Sequence, residues 1–124
     1  MSGRRRVLVV DDDDSIREFV KMALTDDGYE VLTAAEGGEA LKAEESFHPD
    51  AVVLDVRMVG MDGVDFARAY RQKPGHAPIL VFTAARDAAA SAAQVEADAF
   101  LSKPFDLKEL LALVARLTRE GRRP

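Results

Sequence analysis

Four short apolar runs in this chain each end on a polar or charged residue. Val7-Leu8-Val9-Val10 leads into Asp11, Asp12, Asp13 and Asp14, and Ala51-Val52-Val53-Leu54 into Asp55. Downstream, Ile79-Leu80-Val81-Phe82 ends in Thr83, and Ala99-Phe100-Leu101-Ser102 ends in Lys103. Runs that are apolar without alternation are expected where a strand is covered on both faces, the situation of parallel sheets. In open α/β sheets the strand ends gather along one edge, and ligands bind there. Carboxylates, a hydroxyl and an ammonium converging on one edge suit a divalent cation and a phosphoryl group.

Between the apolar runs the period changes to that of helices, which predicts alternating strands and helices and a doubly wound parallel sheet. Strands are expected near 6–10, 29–34, 50–55, 78–83 and 98–102. Helices are expected near 14–26, 37–47, 63–72, 86–95 and 106–120. In the first helix Ile16, Phe19, Val20, Ala23 and Leu24 recur at helical spacing and are expected to face the sheet. Gly28, after Asp26 and Asp27, suits a left-handed cap. The fourth helix is nearly all alanine, a good helix former that buries little area, so it should be held loosely. In the last helix Asp106 and Glu109 have capping-box spacing. Leu110, Leu111, Leu113, Val114 and Leu117 spread over more than one buried stripe needs, so part of that surface is expected to be a contact face.

With 124 residues the chain is expected to form one domain over residues 1–120, followed by a polar tail or linker start over 121–124. Its net charge of −5 argues against nucleic acid as a direct partner. The absence of cysteine excludes thiol catalysis, disulfides and zinc–thiolate sites. No run approaches the roughly 18 apolar residues of a membrane span. Met-Ser-Gly-Arg-Arg-Arg lacks the apolar segment of a secretory signal, so a cytoplasmic location is expected.

The segments VLVVDDD, PDAVVLDVRM followed by GMDG, VFTA and FLSKPF resemble, in order and spacing, the receiver domain of bacterial two-component response regulators. The resemblance covers nearly the whole chain. It implies a flavodoxin-like five-stranded sheet of order 2-1-3-4-5 with five helices. It further implies that Asp55 accepts a phosphoryl group from a sensor histidine kinase or phosphotransfer protein. Mg²⁺ would be held by Asp12, Asp55 and the backbone carbonyl of Arg57, with Asp11 acting through water. Lys103 would offset charge on the phosphoryl oxygens, and the Thr83 hydroxyl would donate a hydrogen bond to one of them. Small Ala84 would leave the approach open, while Arg57 and Ala85 would influence the lifetime of the phosphate.

The resemblance also implies an output step. Thr83 would be drawn to the phosphate, and Phe100 would turn inwards as the loop after the fourth strand moves. The surface of the fourth helix, fifth strand and fifth helix would then meet an effector domain or protein. A cis Lys103–Pro104 bond is implied as well. Asp13 and Asp14 are expected to form a helix start and Asp62-Gly63 a turn, with His48 and His76 as loop residues without ligand roles.

This chain departs from the family pattern in several places, one of them a Thr83–Lys103 interval shorter than the commoner family spacing, which bears on the shape of the fourth helix. Val59 replaces a proline in the loop after Asp55. Glu96 stands where a glycine commonly closes the fourth helix, at a steric cost if the backbone there is left-handed. Leu113 and Ala115 replace arginines that form cross-dimer ion pairs in the winged-helix subfamily, so an apolar contact with a partner or a second copy is the expected alternative.

Two rival functions remain. A receiver-shaped interaction module that accepts no phosphate would share the fold, although here all five site residues are present. Haloacid-dehalogenase-type phosphatases share an opening motif like Asp11-x-Asp13. The acidic pair that they place after the lysine is missing here, and Asp55 would have no role. The domain is expected to catalyse only its own phosphorylation and dephosphorylation.

Overall fold

The computed structural model describes residues 4–56, 63–84 and 88–120. Five strands, β1 (Arg6–Val10), β2 (Glu30–Ala34), β3 (Ala51–Leu54), β4 (Ile79–Ala84) and β5 (Ala99–Lys103), alternate with five helices. The helices are α1 (Asp14–Asp26), α2 (Gly37–Phe47), α3 (Gly63–Arg71), α4 (Ala88–Val95) and α5 (Leu107–Glu120). All strand pairs are parallel, in the order β2-β1-β3-β4-β5. Among the described residues no helix is long and apolar enough to cross a membrane.

Alternation along the strands divides the core in two. Leu8, Val10, Val52, Leu54, Ile79 and Val81 face α2, α3 and α4, where Phe66, Tyr70, Ala92 and Val95 pack. Val7, Val9, Val53, Leu80, Phe82 and Leu101 face α1 and α5, meeting Val20, Leu24, Leu110, Val114 and Leu117. Both sheet faces are thus buried, which explains the unbroken apolar runs. Extending each alternation to the strand end puts Asp11, Asp55 and Lys103 in step with the α1/α5 face and Thr83 with the other.

The ends of α1 are specified by local chemistry. The Asp13 carboxylate accepts from the Ile16 N–H as an N-cap. At the other end Gly28 has φ +98°. Its N–H reaches Thr25 O and that of Tyr29 reaches Leu24 O, the bond pair of a Schellman cap. In α5, Asp106 accepts from the Lys108 N–H.

Two readings of helix faces need correction. Phe19 does not face the sheet: it is 53% exposed on α1, and only Val20 and Leu24 of that helix are fully buried. Helical spacing gives a stripe, but Phe19 lies at its margin, where it reaches towards Phe105 with ring centroids 6.5 Å apart. On α5, Leu111 and Leu113 are partly buried against the core and leave less contact surface than expected. Glu96, after α4, has φ +54°, so the left-handed turn is present without the glycine that would favour it.

Candidate functional site

Parallel packing carries the ends of β1, β3, β4 and β5 to one edge. Asp11 follows β1 and is fully buried, and Asp55 follows β3 with 6% exposure. Backbone bonds fix both: Asp11 N–H donates to Ala34 O and Asp55 N–H to Val10 O. With exposed Asp12, they bring three carboxylate oxygens within 4.8 Å of one another. Three hard oxygen donors of high negative charge fit a Mg²⁺-sized ion, which prefers carboxylates to nitrogen or sulfur.

Lys103 supplies the opposing charge. Its Nζ lies 3.0 Å from Oδ2 of Asp11 and 3.0 Å from Oδ2 of Asp55. Burial pulls this ammonium towards deprotonation, but the hydrogen bonds and attraction of Asp55 and Asp11 outweigh it and raise its pKa above the ordinary lysine value. Burial likewise pushes the Asp11 carboxyl upward, against the stabilising Asp13 N–H and Lys103 ammonium, with the charge of Asp55 adding to the rise. Removing charged groups from water disfavours both ionised forms, and only the lysine has enough opposite charge nearby to reverse the sign.

Thr83, 1% exposed at the end of β4, lines a groove of 640 Å³ together with Asp55 and Lys103. The groove's other wall is apolar, formed by Ile16, Phe19, Pro104 and Phe105. The Lys103–Pro104 peptide is cis. Phe100 is away from this cluster and 49% exposed on β5. Arg57, Val59, Asp62 and Ala85 lie outside the described residues, as does the side chain of Ala84. Asp13 caps α1 and Asp14 pairs with Arg17, as expected of a helix start. His48 follows α2 with φ +53°, and His76 Nδ1 contacts Lys73 O at 3.0 Å.

Three supporting residues escaped sequence reasoning. Arg17 donates to Asp11 O at 2.8 Å, tying α1 to the loop that carries the acids. An arginine one turn into a helix carries no signal of that contact. Gly63 is pressed against the backbone after Asp55. A Cβ there would lie 2.2 Å from Val56 Cα and 2.8 Å from Asp55 O, so the approach of α3 to the strand end requires glycine. Phe82 reads as an ordinary core residue, yet Lys103 Nζ lies 4.6 Å from the centroid of its ring.

Comparison with known proteins agrees with this fold. The family model for the response regulator receiver domain matches residues 7–115. Response regulator MprA of Mycolicibacterium vanbaalenii is 45% identical over 116 residues, covering 92% of this chain and 50% of that protein. The chain therefore spans about half the length of the curated relatives it matches. Among solved structures, the chemotaxis response regulator CheY4 of Vibrio cholerae has a TM-score of 0.79 at 37% identity, covering 92% of this chain and 98% of that one. A response regulator receiver domain protein from Clostridium thermocellum has a TM-score of 0.83 at 26% identity, covering 94% and 95%.

Proposed function

This chain belongs to the response regulator receiver domain family, and from that premise we propose that it accepts a phosphoryl group on Asp55 from a phosphohistidine donor. The observation carrying the proposal is the pairing of Lys103 with both Asp11 and Asp55, at 3.0 Å each, beside a third carboxylate. A lone pair on an Asp55 carboxylate oxygen forms the new O–P bond while the P–N bond to the donor histidine breaks, its electrons returning to the imidazole. The product is an aspartyl phosphate.

Asp12 and Asp55 would hold Mg²⁺ in this reading, with the Arg57 carbonyl as the further ligand that the family resemblance implies and Asp11 acting through water. The ion, when bound, offsets the negative charge that carboxylates and phosphoryl oxygens bring together. Lys103 turns from Asp55 to the incoming phosphoryl oxygens, and the Thr83 hydroxyl donates to one of them. Because Thr83 belongs to the α4-facing side of the sheet, its movement is transmitted to α4, β5 and α5, with Phe100 turning inwards. An effector domain or protein, or a second copy of the chain, then reads that face. The cognate sensor histidine kinase or phosphotransfer protein supplies the phosphoryl group in the cytoplasm.

The test is incubation with Mg²⁺ and acetyl phosphate followed by intact mass measurement of the parent, Asp55→Asn and Asp11→Asn. One phosphoryl adduct on the parent, absent from Asp55→Asn, is the expected result. Turnover through Asp11 would point to a phosphatase instead. No adduct and no Mg²⁺ affinity would leave a receiver-shaped interaction module.

A further inference from the structure

Lys103 reaches Asp55 across an intervening strand. It ends β5, whereas Asp55 follows β3, and β4 lies between them. Neighbouring strands are about 4.8 Å apart, so the ammonium must span roughly 9–10 Å of sheet edge. A lysine stem that long has many rotamers, and holding one of them costs entropy. Something beneath the stem must define its course.

The residue beneath it is Phe82 of β4. Phe82 pairs in register with Leu101, and both belong to the core layer under α1 and α5, the side towards which Lys103 also extends. The Phe82 ring is fully buried, and Lys103 Nζ stands 4.6 Å from its centroid. Phe105 packs edge to face with the same ring, with centroids 5.9 Å apart and planes at 69°.

We propose that Phe82 is a positioning residue for phosphoryl transfer, holding the Lys103 ammonium against its ring face so that the lysine is aimed at the Asp55 phosphoryl site. An ammonium carries three hydrogens. Asp11 and Asp55 take two of its approaches, and the ring occupies a further one that water would otherwise fill. The π face attracts the cation but is a weaker partner than water or a carboxylate. The ammonium is thereby kept desolvated and in place, and it can turn to a phosphoryl oxygen without first shedding a bound water. An aliphatic side chain at residue 82 would fill the same core volume but offer no attraction. The proposal rests on the phosphoacceptor reading of Asp55 for its consequence, but the contact itself can be tested apart from it.

Two measurements decide it. Site-specific incorporation of mono-, di- and trifluorinated phenylalanine at residue 82 weakens the ring's negative face with little change in shape. The rate of phosphorylation by acetyl phosphate is expected to fall stepwise, about fivefold at the trifluoro ring, while the melting temperature stays constant. A rate independent of fluorine number overturns the role. In parallel, ring current should shift the Lys103 ε-methylene protons upfield in NMR spectra of the parent, and the shift should vanish in Phe82→Leu. An unchanged shift in Phe82→Leu overturns the contact. A parent that shows the ring-current shift but takes no phosphate refutes both the phosphoacceptor reading and the catalytic consequence, while leaving the contact established.

Discussion

Thr83 and Phe100 lie on one face of neighbouring strands, but Thr83 is 1% exposed and Phe100 49% exposed. Phe100 is paired in register with Val81, two residues before Thr83, so the aromatic ring and the hydroxyl are offset by one pleat repeat. In the proposed output step, a shift of Thr83 towards a phosphate would open space next to a large apolar side chain that is half in water. Phe100 is already half buried, so burying the remainder is favourable by about 1 kcal/mol, which favours the inward ring once the space exists.

The first prediction concerns that movement. The chain has no tryptophan, so Phe100→Trp introduces a single reporter. Acetyl phosphate with Mg²⁺ should shift its emission to the blue and protect it from iodide quenching. The same treatment of Phe100→Trp combined with Asp55→Asn should change nothing. An identical spectrum before and after phosphorylation would remove Phe100 from the output step.

A second prediction follows from the raised pKa of Asp11, whose first cause is burial. The fold binds this proton more tightly than the unfolded chain does. Stability therefore falls as pH rises from the unfolded value of 3.8 through the higher folded one. Asp11→Asn removes the charge. In Mg²⁺-free buffer at pH 7 it should melt a few degrees above the parent, 1 kcal/mol corresponding to about 4 °C in a domain of this size. The gap should shrink as pH approaches 3.8 and narrow when Mg²⁺ is added. A less stable variant at pH 7 would contradict the argument.

Glu96 carries a backbone cost that can be relieved. Its φ of +54° places a Cβ where L residues lose about 1–2 kcal/mol. Glycine removes the clash but loses part of the gain through a freer unfolded chain. Glu96→Gly is expected to raise urea stability by about 0.5–1 kcal/mol with an unchanged m-value. Lower stability would mean that the glutamate side chain makes contacts worth more than the strain.

The apolar wall beside Asp55 makes a fourth prediction. Phe19, 53% exposed, lines the same groove as the proposed acceptor, where the proposed phosphohistidine-bearing donor would approach. Phe19→Ala should slow phosphoryl transfer from a protein donor about tenfold or more, yet leave the rate with acetyl phosphate unchanged. Equal slowing with both donors would show that the side chain supports the site rather than a partner.

Much of this molecule is legible in its sequence because parallel α/β folds write themselves in two periods. The change from continuous apolar runs to helical spacing locates all ten elements to within about two residues. Asp11, Asp55, Thr83 and Lys103 come together because strand ends in such a sheet share an edge. What stays hidden depends on direction rather than pattern. Helical spacing includes Phe19 in the buried stripe, but one residue at its margin can turn towards Phe105 instead of the sheet. Arg17 and Phe82 have ordinary positions in the sequence, and their contacts with Asp11 and Lys103 exist only through side-chain reach. Gly63 resembles any turn glycine until the backbone of Val56 is seen against it.

The two ion pairs of Lys103 join residues 92 and 48 positions apart. Such separations carry a loop-closure cost that must be met before the site can form. On the ribosome, every acid of the cluster is translated long before the lysine that balances it, and a chain stalled before β5 carries repelling carboxylates with no counterion of its own. On the proposed phosphoacceptor reading, competence would be tied to completion of β5, and a truncated or half-folded copy would stay silent instead of drawing phosphate to no purpose.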